Sequence, residues 1–197
     1  MASEREGVSY KRTCVFAVFF LLAIVACSPC AVGQDVARFD LFGGYSYQRL
    51  DTTVLGFADY ANQNGWNVNA TGNLNHTWGL TGDISGHYGS QIDAYNFLAG
   101  PQYSFRSDKW RAFAHVLVGK ADDHLKIVTP TRNEFTSVGL TIAGGGGFDW
   151  NVTRRFTFRV VQADYLHTHT FGVTENNVRV STGLVIHLGT TGKGRKP

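Results

Sequence analysis

The sequence predicts an all-β chain that folds as an eight-stranded antiparallel up-and-down barrel. Three observations lead there. Eight segments alternate with a period of two, the period of a pleated strand whose two faces meet different surroundings. Each segment runs for about eleven to fourteen residues, against a usual strand of about 5–6. The links between them are long and short in turn.

The first element is not a strand. Lys11-Arg12 precede the uncharged run CVFAVFFLLAIVAC, Cys14 to Cys27, followed by small residues. The run is too short for a membrane-spanning helix, and its basic flank and small-residue exit are those of a secretory signal peptide over residues 1–33, cut after Gly33. A retained signal anchor and acylation of Cys27 in Ile24-Val25-Ala26-Cys27 are the alternatives. Cys14, Cys27 and Cys30 are the three cysteines of the chain, so the exported part would hold no disulfide and must find its stability elsewhere.

The barrel is expected over residues 37–189. RFDLFGGYSYQR (Arg38 to Arg49) sets Phe39, Leu41, Tyr45 and Tyr47 against Asp40, Phe42, Ser46 and Gln48. WNVNATGNLN (Trp66 to Asn75) sets Trp66, Val68 and Ala70 against Asn67, Asn69, Thr71 and Asn73. The series continues with Trp78 to Tyr88, Ala94 to Phe105, Trp110 to Lys120, Ser137 to Trp150, Arg154 to Leu166 and Asn177 to Gly189. In WRAFAHVLVGK both faces are apolar, which leaves the direction of His115 open. Long links are expected at Leu50 to Asn64, Ala121 to Thr136 and His167 to Asn176, with the brief Gly89 to Asp93 in the same set. Short ones fall at Asn75 to Thr77, Arg106 to Lys109 and Asn151 to Thr153. Residues 190–197, with Lys193, Arg195 and Lys196, read as a basic flexible tail.

Alternation alone does not say which face points outward, and a soluble exported lipocalin-like ligand-binding barrel would turn the apolar face inward. Four features favour the opposite, transmembrane arrangement: the export signal, strands long enough to cross a bilayer at a tilt, loop asymmetry and the placement of tryptophan. Trp78, Trp110 and Trp150 each end a strand beside a short turn, while Tyr45, Tyr47 and Trp66 gather towards the other end. These six are the expected membrane-interface aromatics, because an indole or phenol ring seeks a place with one apolar and one wet side.

The lumen of so small a barrel has room only for its own side chains. The expected polar network there is Asp40, Asp83, His87, Gly145, Arg159, Asp164, Arg179 and His187, with Asp40 near His187 and Asp164 near Arg179. Buried charges must pair. Parity breaks between Arg159 and Gln162, which predicts a β-bulge at Val160-Val161. The four glycines of LTIAGGGGFDW lack the Lys-Ser or Lys-Thr of a phosphate loop. A turn at Asn151 to Thr153 would instead set Gly145 opposite Arg159 and lay Phe158 across Gly144 and Gly146, glycine making room on both faces. Gly189, at the end of the last strand, is expected to tolerate a larger residue.

Taken together, these segments resemble the small eight-stranded outer-membrane β-barrel family, the OmpA/OmpX-like barrels of Gram-negative bacteria, over roughly Ala37 to Gly189. The resemblance implies a monomer in the cell outer membrane, embedded in membrane lipid, delivered by the barrel-insertion machinery, with its termini periplasmic and its long loops outside. The last strand departs from the family by ending in His187-Leu188-Gly189 rather than an aromatic residue. A net charge of +3 without a basic stripe excludes nucleic acid as an expected partner. The function expected is non-enzymatic: envelope support or partner binding by surface loops, with no cofactor. A lipid A deacylase-like enzyme is the alternative. The one constellation that would serve it is YLHTHT, where His167 and His169 share a strand face near Asp164, Thr168 and Thr170. No third metal ligand is identifiable, so no catalytic or metal site is assigned and the pair is read as solvated.

Overall fold

The computed structural model describes residues 36–50, 61–89, 92–125, 135–170 and 173–189. The expected signal peptide, Cys27 and the basic tail lie outside them, as do most of the long links. The strands are β1 (Phe39–Leu50), β2 (Ala61–Asn73), β3 (Trp78–Tyr88), β4 (Ile92–Arg106), β5 (Trp110–Leu125), β6 (Phe135–Asn151), β7 (Phe156–Thr170) and β8 (Val173–Leu188). Each pairs antiparallel with the next, and β8 returns to β1, so the sheet closes into a barrel with no free edge. The closing register sets Asp40 opposite His187 and Gln48 opposite Arg179.

Alternation now acquires a direction. Phe39, Leu41, Tyr45, Val68, Leu80, Ile84, Val116, Leu140, Phe158, Val178 and Leu184 are all exposed, whereas Asp40, Asn67, Asn69, Thr71, Asp83, Gln102, Asp149, Arg159, Asp164 and Arg179 are buried. Apolar side chains clothe the outside and polar ones fill the inside, the reverse of a soluble barrel. The lipocalin-like alternative is therefore wrong for this chain.

Several strands run further than their alternation indicates, by most at the end away from the short turns. β5 continues to Leu125, and β7 and β8 occupy Phe156–Thr170 and Val173–Leu188. The expected long link His167 to Asn176 is thus mostly strand. Its polar residues pair side by side, as in His167 opposite Asn176 and His169 opposite Thr174, so polarity there marks a solvated strand end and not a loop.

The β6–β7 register corrects the glycine expectation. Thr153 Oγ1 accepts from the amides of Arg155 and Phe156 at 3.3 and 3.0 Å, and the amides of Val152 and Thr153 both donate to Phe156 O. The reversal therefore occupies 152–155 and β7 starts at Phe156. Asp149 lies opposite Arg159, Trp150 opposite Phe158, and, beyond the irregularity, Gly145 opposite Asp164 and Gly144 opposite Tyr165. Gly145 makes room for Asp164 rather than Arg159, and Phe158 does not cover Gly144. Gly147 faces the Phe113 ring, whose Cζ would stand 2.6 Å from an added Cβ. The bulge itself falls at Val160-Val161: both side chains are exposed, and β7 slips between Arg159 and Gln162 against β8. Gly189 has φ 68°, a conformation in which a side chain is strained, so its expected tolerance is withdrawn.

Candidate functional site

The inward residues form one connected polar chain from the short-turn end to beyond mid-barrel. At the short-turn end Asp40 is bonded to His187 Nδ1 at 2.6 Å, to Asn73 Nδ2 at 3.0 Å and to the Arg111 guanidinium. Arg106 approaches the same carboxylate to 3.7 Å. Arg111 also donates from Nε to Asp149 at 2.9 Å, and Asp149 accepts from Arg159 Nε at 2.8 Å. The Arg159 guanidinium lies between the rings of Phe42 and Phe113, 4.3 Å from each centroid. A delocalised, weakly hydrated cation suits that sandwich in a way an ammonium would not.

Arg159 then hands the chain to Gln162 Oε1 at 2.6 Å, and Gln162 Nε2 donates to Asp164 at 2.8 Å. Asp164 is also held by His115 Nε2 at 2.8 Å and by Arg179 Nε and Nη2 at 3.0 and 2.7 Å. Arg179 reaches on to Asp83 and Ser85, both at 2.8 Å, and Asn67 donates to Asp83 at 2.8 Å. His87 sits beside this group, its Nε2 2.8 Å from Ser46 Oγ, which accepts from Ser181. Four carboxylates (Asp40, Asp83, Asp149, Asp164) thus face four guanidiniums (Arg106, Arg111, Arg159, Arg179). Desolvated charge is matched by opposite charge within hydrogen-bond reach, the condition for tolerating it in a dry interior. Above lies an apolar layer of Leu98, Leu117, Ala143 and Leu166.

Of the sequence-predicted lumen residues, Asp40, Asp83, His87, Arg159, Asp164 and Arg179 are all buried. His187 is part-exposed at the rim but hydrogen-bonded to Asp40, and Gly145 faces inward beside Asp164. Sequence reasoning missed Arg106, Arg111 and Asp149 and left His115 open; the structure turns His115 inward. The signal was available: with Trp110 on the outer face, period two sends Arg111, Phe113 and His115 inward.

Trp78, Trp110 and Trp150 stand at the short-turn end, with Trp110 paired to Trp150 across β5 and β6. Trp78 meets Tyr103 edge-on at 5.1 Å, and Trp110 stacks between Phe105 and Phe148 at 5.5 and 5.7 Å. Towards the other end the Trp66 indole donates to Tyr88 OH at 3.2 Å, and Tyr45 and Tyr47 hydroxyls donate to Asn64 and Asn62.

The YLHTHT constellation does not assemble. His167 and His169 are on the outer face, while Asp164 and Thr168 of the same strand are buried on the inner one. Thr168 bonds Thr141 at 3.0 Å. Among the described residues no group of three or more His, Cys, Asp or Glu is placed to hold a metal.

No protein-family model matches the chain, and no curated protein matches it in sequence. Solved structures do match in fold. Neisserial surface protein A (NspA) aligns with a TM-score of 0.62 at 10% identity, over 77% of this chain and 98% of its own. Ail, the attachment invasion locus protein of Yersinia pestis, aligns at 0.52 and 17%, over 77% and 99%. The outer membrane protein OprG from Pseudomonas aeruginosa aligns at 0.50 and 15%, over 80% and 98%. The chain shares the eight-stranded barrel fold of these proteins.

Proposed function

We propose that the chain is a non-enzymatic integral protein of the cell outer membrane, a monomeric barrel whose eight strands cross the lipid as one closed sheet and which displays its loops for envelope support or partner binding. The observation that carries this reading is the inverted distribution of polarity. An outer surface bearing Phe39, Leu41, Val68, Leu80, Ile84, Val116, Phe158 and Leu184 loses its hydrophobic penalty only in a lipid solvent, and a closed sheet leaves no strand edge unpaired there. The aromatic residues at both ends fit interfacial girdles, with membrane lipid as the standing partner. Residues 1–33 would serve as the export signal, and the barrel-insertion machinery would receive the exported chain.

A structural rather than catalytic lumen is supported by its saturation. Each of the eight network charges is committed to an opposite charge inside the barrel, and the Phe42–Arg159–Phe113 stack crosses the interior, which argues against a diffusion pore as well. The reading is tested with protein refolded into proteoliposomes. Small-sugar flux should match that of empty liposomes, and the host's lipid A mass spectrum should be the same with and without the gene. Flux above background, or a changed lipid A species, would overturn it.

A further inference from the structure

His167 and His169 were the residues the lumen left unused, and the structure gives them an arrangement of their own. Both lie on the outer face of β7, two and four positions beyond Tyr165 on the same face and towards the end away from the short turns. The two sides of the pair differ. On β6 their neighbours are Ile142 and Leu140, exposed and apolar. On β8 their direct partners are Asn176 and Thr174.

Both rings are tied to the polar side in the same way. His167 Nδ1 bonds Asn176 Oδ1 at 2.9 Å, and His169 Nδ1 bonds Thr174 Oγ1 at 3.1 Å. An amide oxygen only accepts, so the contact with Asn176 Oδ1 assigns the proton to His167 Nδ1 and leaves Nε2 as the ring's lone pair. The Thr174 hydroxyl can accept from the same tautomer of His169, which would leave that ring's Nε2 free in the same way. This is the outer-shell arrangement that prepares an imidazole to bind a metal: one ring nitrogen donates to an oxygen, which orients the ring and raises the basicity of the other.

Spacing agrees. Residues i and i+2 of a strand share a face with Cα atoms about 6.6 Å apart. Two rings leaning together from that distance can bring their Nε2 atoms to the roughly 3.3 Å required to share an ion bound at about 2.0–2.1 Å with tetrahedral angles. Neutral imidazoles with free lone pairs attract a cation and not an anion, and nitrogen ligands of this softness select zinc, copper or nickel over magnesium or calcium.

We propose that His167 and His169 form a bidentate site for a divalent transition-metal ion on the outer rim of the barrel, with Asn176 and Thr174 as positioning residues. The protein supplies two ligands, and water or an exogenous donor completes the coordination. The site depends on surface geometry alone and stands whether or not the barrel has the role proposed above.

The test uses the full chain folded in detergent, with the heat-dependent gel shift confirming each variant's fold. Zn2+ is titrated calorimetrically in a non-coordinating buffer, and Cu2+ is bound for electron paramagnetic resonance. The H167Q/H169Q double variant should lose one equivalent of Zn2+ and the two-nitrogen coupling of Cu2+. Asn176→Val, which keeps both ligands, should weaken Zn2+ by about tenfold. His124→Gln, a histidine on the same outer surface but on β5, should change neither reading. A double variant that binds both ions like the parent, a Cu2+ spectrum with a single nitrogen, or a site lost equally in His124→Gln would overturn the proposal.

Discussion

Gly145→Ala should destabilise the barrel far more than Gly144→Ala, though the residues are adjacent and the substitution is the same single methyl. Gly144 faces outward, and a Cβ built there meets nothing within 4 Å. At Gly145 the new atom would stand 2.1 Å from Asp164 Oδ1 and 2.5 Å from the Ala163 carbonyl. The carboxylate cannot simply rotate away, because Arg179, His115 and Gln162 all hold it. Moving it uncouples the fully buried Arg179, and breaking one side of a buried ion pair costs about 3–5 kcal/mol. Gly144→Ala should be neutral or gain about 0.4–1 kcal/mol by restricting the unfolded chain. Urea titration of both variants refolded into the same vesicles measures the difference. With a slope of about 2 kcal/mol/M, the Gly145 midpoint should fall by about 1.5–2.5 M. Equal midpoints would refute the β6–β7 register and the inward assignment of Gly145.

Arg179→Ala strands Asp83 and Asp164 and should cost about 3–5 kcal/mol in the same titration, whereas the neutral triple variant Asp83→Asn, Asp164→Asn, Arg179→Met should recover more than half of that loss. If the triple variant is no better than the single one, charge pairing is not what holds the lumen. In bilayers carrying brominated lipids, single-tryptophan variants retaining Trp78, Trp110 or Trp150 should be quenched most by bromines near the headgroup. Strongest quenching from the bilayer centre would remove them from the interface.

The barrel was legible because its two faces meet opposite solvents, so every strand repeats the same period-two message, and because short turns and tryptophans coincide. Asp40–His187 and Asp164–Arg179 were legible for a related reason: closing β1 on β8 and pairing β7 with β8 leaves few registers that match charge. What escaped was local. The β6–β7 register turned on both the place and the length of the reversal, 151–153 as expected against 152–155 as found, and Thr153's hydroxyl caps two amides of the longer one. That slip of four residues at Asp149, five beyond the bulge, exchanged Arg159 for Asp164 beside Gly145. Arg111 and His115 escaped because apolar residues on both faces of β5 mask its alternation, and only the outward placement of Trp110 fixes the parity. His167 and His169 read as loop because polar residues end a spanning strand as readily as they begin a loop.

The central claim is that this chain folds inside out relative to a soluble barrel and resides in the outer membrane. Cell fractionation combined with gel mobility of unheated and boiled samples tests it most directly. The account predicts recovery with the outer-membrane fraction, a β-sheet circular dichroism spectrum for the purified protein in detergent, and a band that shifts on boiling as the closed sheet opens. Recovery in the soluble periplasmic fraction, with mobility unchanged by heat, would contradict it.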